Sequence, residues 1–236
     1  MYGNIIGDLA GSIYEYEQSK KVSKLNVNEL ITKDSFISDD TILTIAILDA
    51  ILSSTDYGLK LKEYGLKYEN FVNPSTPYFE KTFSPGFIKW LHGNFEGKSL
   101  GNGAMMRIAP VGYLFDSLEE VEKQARLATI PSHNSKEAIY SAITIAKIIF
   151  LARTGCGKED IIKKLNIKLY EKNIETFNYT CSDTIDICLY ALFKSDSFES
   201  AIRKVLSYGG DTDTNACIVG GMAEAMYGIN ENILMR

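Results

Sequence analysis

The stretch GGDTDTNACIVGGMAEAMYG, residues 209–228, sets two aspartates and two threonines alternately behind a glycine pair and then turns small and apolar. From Ala216 to Met226 it is apolar most of the way round, the pattern of a helix at the centre of a bundle. Ala216, Gly220, Gly221 and Ala223 are small enough to let neighbouring helices come close. A second segment is built alike: SDDT at 38–41 leads into the apolar ILTIAILDAIL at 42–52. Apolar residues also recur with a 3.6-residue period in 119–129, 139–152, 185–193 and 198–210. Ser117 and Ser197 stand where N-caps are expected, and Gly155, Gly209 and Gly210 where helices should stop. Only 167–180, IKLYEKNIETFNYT, reads as irregular or weakly extended, and no linker or repeat divides the chain. The expectation is an all-α fold, one compact multi-helix domain over 1–236.

Composition narrows the function classes. With 236 residues, 45% of them hydrophobic, the chain can bury one substantial core. The net charge of −5, with lysines scattered, lacks the basic footprint that binding a phosphate backbone requires, so nucleic acid is not expected as the main partner. Cys156, Cys181, Cys188 and Cys217 are too widely spaced for a zinc site. Asp8 interrupts the apolar N-terminal stretch and no long uncharged run follows, so a soluble, reduced, cytoplasmic protein with no membrane partner is expected.

The acidic segments before the two apolar helices carry the chemistry. Ser38 or Asp39, and Asp211 or Asp213, are good helix caps, yet a cap needs one oxygen and each segment supplies two carboxylates plus hydroxyls. Surplus anions beside buried helices require a positive counterpart. Neither segment contains a basic residue, and Arg107 is the one nearby candidate that another motif suggests. Hard divalent cations, Mg²⁺ or Mn²⁺, answer the need more simply, and four aspartates suit two of them with one carboxylate bridging. A third acidic element is GDLAGSIYE, 7–15: Asp8, Gly11, Ser12 and Glu15 share one helical face, which can turn Glu15 toward the same cavity or leave it in solvent.

Taken in order, GDLAGSIYE, SDDT, GNGAMMRIAPVG (101–112), ARLATIPSHNSKEAI (125–139) and the 209–228 motif resemble the ADP-ribosylglycohydrolases across residues 3–228. The resemblance implies an all-α hydrolase with a binuclear Mg²⁺ or Mn²⁺ centre that cleaves the glycosidic bond between ADP-ribose and an acceptor. By that likeness Ser38, Asp39 and Asp40 bind one metal, Asp211 and Thr214 the other, and Asp213 bridges them. Glu15 matches the glutamate that in some members contacts a metal and polarises the attacking water. The loop at 97–107 is similar to the segment that wraps ADP-ribose, giving Ser99, Leu100, Gly101, Asn102 and Gly103 as binding residues, with a helix starting near Ala104 turned toward anions. Gly86 and His133 match further ligand-side positions. Partners so implied are ADP-ribosylated proteins or other ADP-ribose conjugates, nucleic acid entering only as a modified substrate; a catalytically silent ADP-ribose-binding or structural protein of the same fold is the alternative. The chain departs from the family at TFSPGFIKW (82–90), where Phe83 and Ser84 replace a Tyr-Gly pair, and at CSDTIDICL (181–189), where many bacterial members have Ser-Val-Pro. These changes touch specificity and no expected metal ligand.

Overall fold

The computed structural model describes residues 1–72, 82–93 and 97–234; the expected domain range also takes in 73–81, 94–96 and 235–236, which lie outside the described residues. The described residues form helices α1 (Tyr2–Lys20), α2 (Asp39–Leu52), α3 (Tyr57–Tyr68), α4 (Pro85–His92), α5 (Gly103–Met106), α6 (Ala109–Leu114), α7 (Leu118–Thr129), α8 (Lys136–Arg153), α9 (Lys158–Lys164), α10 (Cys181–Phe193), α11 (Phe198–Ser207), α12 (Thr212–Tyr227) and α13 (Glu231–Leu234). Only two isolated bridges, Lys98 with His133 and Gly101 with Thr180, have β character among them. The fold is all-α, as the periodicity predicts. Residues 167–180 are irregular up to the bridge at Thr180. No helix among the described residues is long and apolar enough to cross a membrane.

Local chemistry sets the helix ends. Ser117 accepts from the Glu120 N–H, and Ser197 forms a reciprocal capping box with Ser200. Gly209 and Gly210, at φ 75° and 77°, occupy the left-handed region between α11 and α12. The helix expected from Ala104 starts on time but lasts one turn. Pro110 has no N–H for the Met106 carbonyl four residues back, so the chain breaks between α5 and α6. The freed Met106 oxygen instead accepts from Thr44 Oγ1 at 3.2 Å and Asn4 Nδ2 at 3.4 Å.

Helix α12 is buried from Thr212 to Ala223 and is central, as its sequence implies. Helix α2 is less so: Ile45 and Leu52 are exposed, although Ile42, Leu43, Ala46 and Ile47 join the shared core. The neighbour that α12 holds most closely is α1. Gly3, Gly7 and Gly11 fall four residues apart on one face of α1, opposite Gly220, Ala216 and Thr212, so the two helices run antiparallel with backbones in contact. A Cβ at Gly7 would sit 2.0 Å from the Ala216 carbonyl oxygen, and one at Gly11 2.2 Å from that of Thr212. Thr212 Oγ1 donates to the Gly11 carbonyl at 2.8 Å, fixing the register.

Alanine is the better helix former by about 1 kcal/mol, yet Gly7→Ala is expected to destabilise by about 2–3 kcal/mol, because neither backbone can give way. Gly157→Ala, where an added methyl meets nothing within 4 Å, is expected to stay within about 0.5 kcal/mol of the parent. Urea unfolding of both variants checks this; equal midpoints would show that the helix pair has slack.

Candidate metal centre and ligand cleft

The close approach of α1 to α12 brings three chain segments to one point. On α1, Asp8 Oδ2 accepts from the Ser38 N–H at 2.9 Å, the Thr41 N–H at 3.2 Å and Thr41 Oγ1 at 2.5 Å. One turn further, Ser12 Oγ accepts from the Phe36 N–H at 3.1 Å. Residues 36–41 are thereby hung on α1 by side chains that follow its interface glycines. The start of α12 is pinned in the same way: Asn178 Oδ1 accepts from the Asp211 N–H at 3.0 Å, and Gln18 Oε1 from the Gly210 N–H at 3.2 Å.

The capping explanation holds for one acidic segment and fails for the other. Ser38 caps α2, accepting from the Asp40 N–H at 3.2 Å. Asp211 occupies the N-cap position of α12 but makes no capping bond; its Oδ2 accepts from Asn102 Nδ2 at 2.7 Å. Asp40 Oδ2 accepts from Ser38 Oγ at 3.1 Å and Thr214 Oγ1 at 3.2 Å, which ties the two acidic segments together.

Carboxylate oxygens of Asp8, Asp40 and Asp213 lie within 4.8 Å of one another, and so do those of Glu15, Asp211 and Asp213. Asp213 belongs to both groups. Asp8 Oδ1 and Asp40 Oδ1 are buried without a hydrogen-bond partner, which oxygen donors in a polar cluster do not sustain unless something positive meets them. Burial first, and then the Asp213 charge, pushes Asp8 up to about 7. Burial with Asp213 and Asp8 pushes the half-buried Asp39 up to about 8. Asp40, Asp213 and Glu15 are also held well above the ordinary carboxylate range, and Asp211 above its usual value, desolvation being the first cause in each. These are hard oxygen donors with no paired cation side chain among the described residues, and they fit Mg²⁺ or Mn²⁺.

Glu15, Asp39, Asp40, Asp211 and Asp213 form the floor of a cleft of about 630 Å³, the size of a site for a mid-sized organic ligand, with Asp8 buried behind them. Every site residue that the sequence suggests lines it: Glu15, Ser38, Asp39, Asp40, Gly86, the loop residues Ser99, Leu100, Gly101, Asn102 and Gly103, His133, Asp211, Asp213 and Thr214. They do not all face it alike. Ser99, Leu100 and Gly86 are exposed, whereas Asn102 is buried and turns its amide to Asp211. The loop is clamped on both sides, through Ser99 N–H to the Ser132 carbonyl at 3.1 Å and Asn102 N–H to the Tyr179 carbonyl at 2.8 Å. Aromatic residues also line the cleft: Phe83 stacks on Phe87 at 4.8 Å, and Trp90 Nε1 donates to the Pro131 carbonyl at 2.8 Å.

Four contributors lie outside the set inferred from the sequence. Asp8 shares the helical face of Glu15, so its direction was visible, but its partnership with the 38–41 turn depends on tertiary contact. Asn178, which fixes Asp211, sits in the irregular segment where no pattern marks it. Phe177 and Tyr179 from that same segment form part of the cleft wall.

Known proteins resemble this chain over most of its length. An ADP-ribosylarginine hydrolase, Tri1 of Pseudomonas putida, is 24% identical over 98% of this chain and 70% of its own length. The human ADP-ribosylhydrolase ARH3 is 22% identical over 97% of this chain and 84% of its own. A solved structure described as an ADP-ribosylglycohydrolase-related protein complex shares the fold with a TM-score of 0.78 at 20% identity, covering 99% of this chain and 89% of that one. A family model described as ADP-ribosylglycohydrolase matches residues 1–233, and the chain therefore belongs to the ADP-ribosylglycohydrolase family.

Proposed function

We propose that the chain hydrolyses the glycosidic bond joining ADP-ribose to an acceptor on a modified protein or related conjugate, using two hard divalent cations, Mg²⁺ or Mn²⁺, at the floor of the cleft. The observation that carries this reading is the sharing of Asp213 between two carboxylate groups, one wholly and one mostly buried. Ser38, Asp39 and Asp40 would hold one ion beside Asp8, and Asp211 and Thr214 the other beside Glu15, with Asp213 common to both carboxylate groups. The pair supplies positive charge against which ribose hydroxyls and a water are oriented. One continuous hydrophobic core supports treating 1–236 as one domain.

The residues around the ions have separate tasks. The loop 97–103 receives the pyrophosphate and ribose side of the ligand and sets the distance of the anomeric carbon from the acidic floor. Glu15 accepts a proton from the attacking water as its oxygen bonds to that carbon and the bond to the acceptor breaks; that proton, returned from Glu15 directly or through solvent, ends on the departing acceptor. Glu15 suits the task because its carboxylate lies within 4.8 Å of those of Asp211 and Asp213 and lines the cleft.

The acids give stability a definite pH dependence. A carboxyl whose folded-state pKa is raised contributes stability that is complete below its unfolded pKa, near 4, and lost as pH climbs through the folded value. For Asp8 and Asp39 that loss extends to about 7 and about 8. In chelator, the contribution of this cluster should therefore fall between about pH 4 and 8, while added Mg²⁺ should gain most at the alkaline end. At about one hundred times Kd, Mg²⁺ at pH 8 is expected to add about 2.7 kcal/mol, or roughly 5–10 °C in Tm, and clearly less at pH 5. A thermal shift of equal size at both pH values would contradict the cluster as the binding site.

Asp213→Ala should lose turnover by about 10³-fold or more and most of the Mg²⁺-dependent thermal shift. In chelator at pH 8 it should be at least as stable as the parent, because one buried like charge is gone. The assay is release of free ADP-ribose from arginine-, serine- and DNA-linked substrates, with Mg²⁺ and with chelator. Tight ADP-ribose binding without release from any of them would replace the hydrolase reading by that of a binding protein.

A further inference from the structure

Arg107, at the end of α5, is 1% exposed and bonded to no carboxylate among the described residues. Its Nη2 donates to Ser132 Oγ at 2.6 Å and to the Ala128 carbonyl at 3.5 Å, while Nε and Nη1 have no partner. Ser132 Oγ is in turn 2.8 Å from His133 Nδ1. A guanidinium only donates, so Ser132 Oγ accepts from Arg107 and keeps its own proton to give. The one acceptor found beside that hydroxyl among the described residues is His133 Nδ1. The opposite arrangement, with Nδ1 donating to Ser132, leaves a buried hydroxyl proton without a partner.

The other ring nitrogen faces the ligand side. Methyls added to Gly101 or Gly103 would each lie 3.7 Å from His133 Nε2, so this nitrogen is set against the glycine-rich loop. It makes no hydrogen bond among the described residues, and His133 lines the cleft. We propose that Arg107 and Ser132 are positioning residues that lock His133 as a neutral imidazole protonated on Nε2, a fixed donor for a phosphate or ribose oxygen lying over Gly101–Gly103. Burial, and after it the Arg107 charge, holds the His133 pKa well below its ordinary value, in keeping with a ring that stays neutral. A ring so held binds oxygen and transfers no proton, which leaves that task to Glu15. The ligand half of this inference rests on the ADP-ribose reading above; the tautomer half does not.

The chain has only two histidines, so the test is direct. With ¹⁵N-histidine labelling of the metal-loaded, ligand-free protein, and His92→Gln for assignment, His133 is expected to show a bare Nδ1 and a protonated Nε2. Ser132→Ala should blur this into a mixture of tautomers and weaken binding of free ADP-ribose by about tenfold, and should lower the melting temperature as well, because buried Arg107 loses its 2.6 Å partner; the tautomer spectrum is the readout that a loss of stability alone would not move. Ser132→Thr, which keeps the hydroxyl, should retain both properties. A parent spectrum with Nδ1 protonated, or a Ser132→Ala spectrum identical to the parent, would overturn the lock. A locked spectrum in a protein that does not bind ADP-ribose would uphold the lock and overturn the ligand reading instead.

Discussion

The acidic floor depends on how closely α1 lies against α12. Two helices with ordinary side chains between them hold their axes 8–10 Å apart, and their termini can shift relative to one another as those side chains repack. With Gly3, Gly7 and Gly11 against Gly220, Ala216 and Thr212, little side chain is left to repack, and the register is held by backbone contact itself. The residue after each glycine inherits that precision: Asn4, Asp8 and Ser12 are all buried and all hydrogen-bonded across to another segment. Glu15, one turn beyond Gly11, is carried to the start of α12 by the same geometry.

What this rigidity supports is a concentration of charge that the protein alone does not balance. Glu15 and the aspartates at 8, 39, 40, 211 and 213 are all shifted toward their protonated forms, each first by desolvation. Arg107 is the buried cation in the vicinity, and it points to Ser132. A structure that keeps such a cluster has arranged it for something other than its own stability, and places where local rules of burial are broken are where function is found.

Much of this was legible in the sequence, and the reasons are physical. Helix periodicity and caps depend on neighbours within a few residues, so Ser117, Ser197 and the stops at Gly155, Gly209 and Gly210 could be read directly. The acidic segments at 38–41 and 211–214 stood out because an acid run before an apolar helix is anomalous on its own terms. Glu15 was ambiguous between cavity and solvent until α1 was seen to run antiparallel to α12. Tertiary partners left weaker traces. Nothing local shows that Pro110 would free the Met106 carbonyl for Thr44 and Asn4, that Asp8 would hold the 38–41 turn, or that Asn178 in a patternless segment would fix Asp211.

The hydrogen bond from Asn102 to Asp211 joins the glycine-rich loop to the acidic floor through two buried side chains. A movement of that loop either carries the Asp211 carboxylate with it or breaks a charge-assisted bond away from water. The two halves of the cleft are thereby tied to one another. On the function proposed above, a ligand that favours one position of the loop would alter the affinity of the floor for cations, and by reciprocity cations would alter the affinity for the ligand by the same factor.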